Sequence, residues 1–206
     1  MKSRSPARGK WQAAEAAEHY ATDRFGSKRA RERDPRLVQR LLRRNRIDLG
    51  KVRVLDVPCG TGRLAPFLEK ESASYLGADV SLEMVRLNPA MSVVADAAAT
   101  PFADNSFEVV VCCRLLHHLD ELEELPAVVR ELVRISSGFV LASFWDAASL
   151  PAWRRRLGWR ARSGRRPISK QRLADCFESS GAEVVDYAHS ARFLSMQTFA
   201  AARVER

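Results

Sequence analysis

The chain has 206 residues, 46% of them hydrophobic and 29% charged, a size and balance that suit one globular domain with an arm and exclude collagenous, coiled-coil and wholly disordered classes. No apolar run approaches the roughly 20 residues needed to cross a bilayer, and the basic start Met1 to Pro6 has no apolar stretch behind it, so no secretory signal is read and the expected compartment is the cytoplasm. The net charge of +9 is uneven: residues 1–51 carry 15 Lys/Arg against 6 Asp/Glu, residues 52–150 carry 7 against 14, and residues 151–172 carry 9 against none, so two basic segments flank an acidic core and either meet something anionic or are simply solvated.

In chain order, residues 1–10 are basic and polar and read as a disordered tail. Residues 11–50 read as a helical lid, with one helix over Trp11–Ala21 and a second over Pro35–Asn45, where Leu37, Val38, Leu41 and Leu42 recur at helical spacing. Tyr20 and Phe25 lie between them as candidate acceptor-lining aromatics. From Val52 short apolar runs alternate with helical patterns, the signature of β-α-β units on a parallel sheet. Strands are expected near 52–57, 75–80, 92–95, 107–113 and 139–144, and helices near 63–72, 81–88 and 121–135. The turn before the fifth strand, Ser136-Ser137-Gly138, predicts a tight loop. An Arg-rich insertion at 151–172 carries no recognised motif; a helix over Lys170–Ser180 and strands over 183–188 and 197–204 follow. Cys59, Cys112, Cys113 and Cys176 have no C-x-x-C spacing, so neither a disulfide framework nor a metal site is expected.

The strongest motif is Val54-Leu55-Asp56-Val57-Pro58-Cys59-Gly60-Thr61-Gly62-Arg63, an apolar strand entering a glycine turn ahead of a helix. Gly60 and Gly62 would let a ligand approach closely, and the helix would present free N–H groups. A second apolar run ends in an acid, Asp79, where a carboxylate can accept both hydroxyls of a ribose. NAD enzymes share that much, but a dinucleotide fingerprint would carry glycines where Pro58 and Arg63 stand.

Four blocks in order resemble the class I S-adenosylmethionine-dependent methyltransferases, in particular the small-molecule subgroup of ubiquinone and menaquinone biosynthesis. They are Leu55 to Gly62, Asp79-Val80-Ser81 with Met84, Ala95-Asp96-Ala97 leading into Pro101 to Val110, and Leu116-His117-His118-Leu119. The resemblance implies a Rossmann-like, doubly wound seven-stranded α/β sheet whose last strand is antiparallel, with an N-terminal helical arm. It implies S-adenosylmethionine as cofactor, with Asp56 and Gly60 beside its methionine part, Gly62 shaping the same turn, and Pro58, Cys59 and Thr61 also binding the cofactor. Asp79 would hold the ribose hydroxyls, with Val80 beside it also binding the cofactor, Met84, Asp96 and Ala97 would lie at the adenine, and Cys113 or Arg114 at the sulfonium side. Trp145 joins Tyr20 and Phe25 as a candidate acceptor wall.

His117 and His118 are the candidate general bases, since imidazole titrates near neutrality. Packing or capping is the competing reading, and methyl transfer needs in-line approach more than a base. The expected activity is transfer of a methyl group to a small or anionic acceptor. An RNA or other polyanion methyltransferase is the nearest alternative, although no Asn/Asp-Pro-Pro-aromatic motif follows the fourth strand. A non-catalytic cofactor-binding protein and an NAD-dependent oxidoreductase are further alternatives.

Overall fold

The computed structural model describes residues 28–156, 165–191 and 194–205. The expected tail, the helix over 11–21, Tyr20, Phe25 and the middle of the Arg-rich insertion lie outside the described residues.

The apolar segments form seven strands: β1 (Arg53–Asp56), β2 (Ser74–Asp79), β3 (Ser92–Val94), β4 (Phe107–Cys112), β5 (Ser136–Trp145), β6 (Ala182–His189) and β7 (Gln197–Val204). They hydrogen-bond in the order β3-β2-β1-β4-β5-β7-β6. The first five run parallel, and β7 pairs antiparallel with both β5 and β6, as the resemblance implied. The helices are α1 (Lys28–Arg44), α2 (Ala65–Glu71), α3 (Leu82–Leu87), α4 (Glu124–Ile135), α5 (Leu150–Arg156) and α6 (Lys170–Glu178).

Side-chain alternation along the strands splits the core in two. Leu55, Val110, Val140 and Ala202 face α4 and α6, whose Val129, Leu132, Leu173 and Phe177 are buried against them. Val54, Tyr75, Val111, Leu141 and Phe199 face the other way, under Leu37, Val38 and Leu41 of α1, Leu64 at the N-cap of α2 and Leu68 within it. The acidic core segment is therefore covered by a basic helix whose apolar stripe faces inward.

Three elements depart from the sequence reading. Helix α1 begins at Lys28, seven residues before Pro35, because its first turns are charged and carry no apolar stripe that periodicity could register. No loop separates α4 from β5: Ser136 both caps the helix and pairs with Phe107 of β4. This needs a glycine at 138, where an added Cβ would come within 2.7 Å of the Glu108 carbonyl oxygen. Helix α5 occupies the start of the Arg-rich insertion, and the chain returns from it as a strap at 165–168. The Ile168 N–H donates to the Trp145 carbonyl (2.7 Å), the Ala147 N–H to the Ile168 carbonyl (3.1 Å), and the Arg166 N–H to the His117 carbonyl (2.8 Å).

Candidate active site

The strands that carry Val54, Tyr75, Val111, Leu141 and Phe199 on the α1 face place, by the same alternation, Asp56, Asp79, Cys113, Ser143 and Gln197 on that face at one edge of the sheet. This is the carboxyl edge of the parallel strands, and between β1 and β4 the strand order reverses direction, the position where open α/β sheets bind ligands.

At the centre is the turn after β1. The Val57–Pro58 peptide is cis, and Gly60 (φ +55°) and Gly62 (φ +78°) take left-handed conformations, which a residue without a Cβ adopts at little cost. The two glycines have different reasons. A Cβ on Gly60 would meet nothing within 4 Å, so the turn is open there. A Cβ on Gly62 would fall 2.2 Å from Asn88 Oδ1 and 2.8 Å from Pro89, so this glycine makes room for the chain and not for a ligand. The expected row of free helix N–H groups is also absent. Helix α2 starts at Ala65, two residues after Arg63; Pro66 has no N–H, and the N–H groups of Ala65, Phe67 and Leu68 already donate to Gly62 or Leu64. Half-buried Pro58 and Thr61 complete the turn, and the Cys59 N–H donates to the Ala78 carbonyl (2.8 Å), stitching it to β2.

Two carboxylates flank the turn. Asp79, at the end of β2, accepts the Gly60 N–H on Oδ2 and the Ser81 N–H on Oδ1, both at 2.9 Å. Burial raises its pKa, opposed by those N–H groups. Ser81 caps α3 through the Met84 N–H, which places Met84, buried, beside this strand end. Asp56 is 1% exposed, and its Oδ2 accepts the Tyr75 hydroxyl at 3.4 Å while Oδ1 has no hydrogen-bond partner among the described residues. Burial pushes its pKa up to about 8, against the pull of Arg63.

A third acid, which sequence reading missed, ties α1 to the turn. Asp34 is fully buried and pairs with both Arg63 and Arg114, the latter through Nε at 2.7 Å. Burial alone would raise its pKa; the two guanidinium groups outweigh that and hold it below the ordinary carboxylate range. Cys113 donates weakly to the same carboxylate (3.7 Å), with its own pKa pushed up to about 12 by burial. Arg114 sits at φ +65° with its N–H donating to Ser143 Oγ (2.6 Å). The signal was available: Asp34, Leu37, Val38 and Leu41 share one helix face, so a carboxylate lies on the apolar stripe.

On the β2–β3 side, Asp96 Oδ1 accepts the Ala98 N–H (3.0 Å) beside the buried Ala97, and Val80 is half-buried. The loop that carries them is anchored from behind by Glu131, whose Oε1 accepts both the N–H (2.7 Å) and the hydroxyl (2.6 Å) of Thr100. On the β4–β5 side, His117 and His118 form a 3₁₀ turn, and the following helix begins only at Glu124. The buried His117 ring stacks on Trp145 at 4.7 Å and 5°, and Arg165 of the strap lies 5.3 Å over Trp145. Packing thus already occupies His117. Trp145 pairs directly with Gln197 across β5 and β7.

Residues 55–140 match the methyltransferase domain family. The matched span is less than half of this chain. The chain is similar to the human mitochondrial arginine-hydroxylase, 29% identical over 96 residues that cover 44% of this chain and 28% of that protein. It is also similar to the ubiquinone biosynthesis O-methyltransferase of Neisseria meningitidis, 33% identical over 102 residues that cover 42% of each. In both cases the match spans less than half the length of the relative. Among solved structures, the magnesium protoporphyrin IX methyltransferase of Synechocystis with bound SAH superimposes with a TM-score of 0.75, over 97% of this chain and 98% of that one, at 14% identity. The chain therefore shares the fold of that protein, and the glycine turn, Asp56, Asp79, Asp96 and Cys113 fall within the matched span, with Asp34 before it and Gln197 after it.

Proposed function

We propose that the chain transfers a methyl group from S-adenosylmethionine to a small or anionic acceptor by in-line displacement. The observation that carries this reading is the open turn at Gly60 between two strand-end carboxylates of a methyltransferase domain, one of them with a buried oxygen left unpaired. That arrangement fits the cofactor. Asp56 would stand beside its methionine part, and a cation brought against Oδ1 would draw this buried acid back toward its charged form. Asp79 would take the ribose hydroxyls, because each carboxylate oxygen spends one lone pair on a backbone N–H and keeps another. Val80, Met84, Asp96 and Ala97 would bound the adenine, while Pro58, Cys59, Thr61 and Gly62 shape the turn. When bound, this cofactor supplies a methyl group already activated by a positively charged sulfur.

The chain's own contribution is then positional. Asp34 locks α1 to Arg63 on the cofactor turn and to Arg114 at the end of β4, so the cover and the floor of the site are one electrostatic unit. Holding two reactants in line in such a frame supplies several kcal/mol without an acid or base, roughly 7–11 in favourable cases. His117 and Trp145 serve as a stacked wall. The strap lays Arg165 over Trp145, while Arg166 is paired with Asp120; the guanidinium on this wall supports an acceptor that carries negative charge.

Thermal denaturation with S-adenosylhomocysteine or NADH tests the cofactor. At about 100 times its dissociation constant the ligand should stabilise by roughly 2.7 kcal/mol, and NADH should do nothing; a shift with NADH alone refutes the reading. Transfer of labelled methyl into fractionated cell extract, with Asp79→Ala as control, tests the acceptor. Label in the small-molecule fraction is expected, and label only in RNA would replace the small acceptor by a polynucleotide.

A further inference from the structure

The row of polar side chains on the α1 face ends at Gln197, the first residue of β7, and this end is chemically unfinished. Gln197 is 4% exposed, yet neither Oε1 nor Nε2 of its carboxamide has a hydrogen-bond partner among the described residues. Its backbone is satisfied: the N–H donates to Ser195 Oγ (3.2 Å) and the carbonyl accepts the Ser190 N–H (3.5 Å). Only the side chain is left without a partner, and a buried carboxamide without one disfavours folding unless something else completes it.

Its place says what that would be. Gln197 is paired with Trp145 and shares its face, one step along the sheet from Ser143, which holds the Arg114 N–H at the end of β4. It lies three strands from the cofactor turn, with β4 and β5 between, on the same carboxyl edge, where a molecule presented to the sulfonium side would extend.

We infer that the Gln197 carboxamide binds the methyl acceptor, through an uncharged group that offers a donor and an acceptor side by side: a carboxamide, a protonated carboxyl, or a hydroxyl next to a carbonyl. This rests on the methyl-transfer reading and adds the chemistry of the acceptor's far end. A neutral amide matches such a group in both polarities, whereas a full anion offers no donor to its carbonyl oxygen. Negative charge on the acceptor belongs instead near Arg165, over Trp145. A site built around a buried polar group discriminates strongly against analogues that leave it unpaired.

The test compares wild type with Gln197→Met, which keeps the length of the side chain and removes both polar atoms. The expected result is a melting temperature unchanged or raised, an unchanged shift with S-adenosylhomocysteine, and at least a tenfold increase in the amount of small-molecule extract needed for half-maximal transfer of labelled methyl. A melting temperature lowered by more than about 5 °C would show that the side chain is paired within the fold and would overturn the inference, as would unaltered transfer. Loss of the S-adenosylhomocysteine shift in wild type itself would sink the methyl-transfer reading and this inference with it. If wild type binds S-adenosylhomocysteine but labels nothing, benzamide is titrated into the loaded protein. Movement of the Gln197 side-chain NH₂ resonance, assigned by its absence in Gln197→Met, supports the inference, and no movement overturns it.

Discussion

Replacing Asp34 by Asn isolates the energetic role of the buried ion pairs that join α1 to the glycine turn. The substitution keeps shape but removes the charge that balances Arg63 and Arg114, whose side chains are only 14% and 15% exposed. Breaking a buried pair by neutralising one partner costs about 3 to 5 kcal/mol, because the remaining cations stay desolvated. For a domain of this size each kcal/mol is worth about 2 to 4 °C in Tm, so a fall of about 6 to 20 °C is expected by calorimetry. The sign with pH follows from the depressed pKa of Asp34: its contribution is fully present above the unfolded carboxylate pKa and is lost as pH falls through the lower folded value. The gap between wild type and Asp34→Asn should therefore be full at pH 7 and close only in acid below about pH 4. Because the group is buried, added salt should change it little. A Tm within about 2 °C of wild type at pH 7 would refute the argument and mean that water reaches the cluster.

Asp56 should behave in the opposite sense, since its folded pKa of about 8 lies above the unfolded value: ionisation then destabilises the fold progressively between about pH 4 and 8, so Asp56→Asn should gain on wild type over that range in pH-dependent melts. The two glycines of the turn should separate cleanly. Gly60→Ala meets only the left-handed backbone cost of about 1 to 2 kcal/mol, whereas Gly62→Ala adds a collision with Asn88 and Pro89, worth a further 1 to 3 kcal/mol or so; equal denaturation midpoints would contradict the packing role of Gly62. His117→Phe keeps the ring stacked on Trp145 and should leave the rate of labelled methyl transfer within about threefold, where loss of a general base would cost about 100-fold or more.

The sheet was readable from sequence because apolar runs of four to eight residues, separated by helical periodicity, leave few arrangements for a parallel sheet. The β7 span and the core faces of α1 and α4 came out as periodicity indicated. Asp56, Asp79 and the glycine turn were legible because each sits at a fixed offset from a strand end. What escaped was contact between distant segments. Nothing local at Gly62 announces that Asn88 fills its place, nor does Ser136 announce that helix and strand abut without a loop. Asp34 and Arg114 are 80 positions apart, and Gln197 opens an ordinary apolar strand. Their meaning exists only once α1 lies across the sheet and β7 is inserted beside β5.

That insertion constrains how the molecule is made. β7 is synthesised after β6 but lies between it and β5. Until Gln197–Val204 has left the ribosome, β5 has a bare hydrogen-bonding edge, β6 has no strand to join, and the half of the sheet under the end of α1 is missing. A nascent chain halted before Gln197 should therefore hold β1 to β5 as an open sheet, vulnerable to edge-to-edge association. The strand that closes this gap also carries Gln197, so closure of the sheet and burial of this carboxamide fall in a single step.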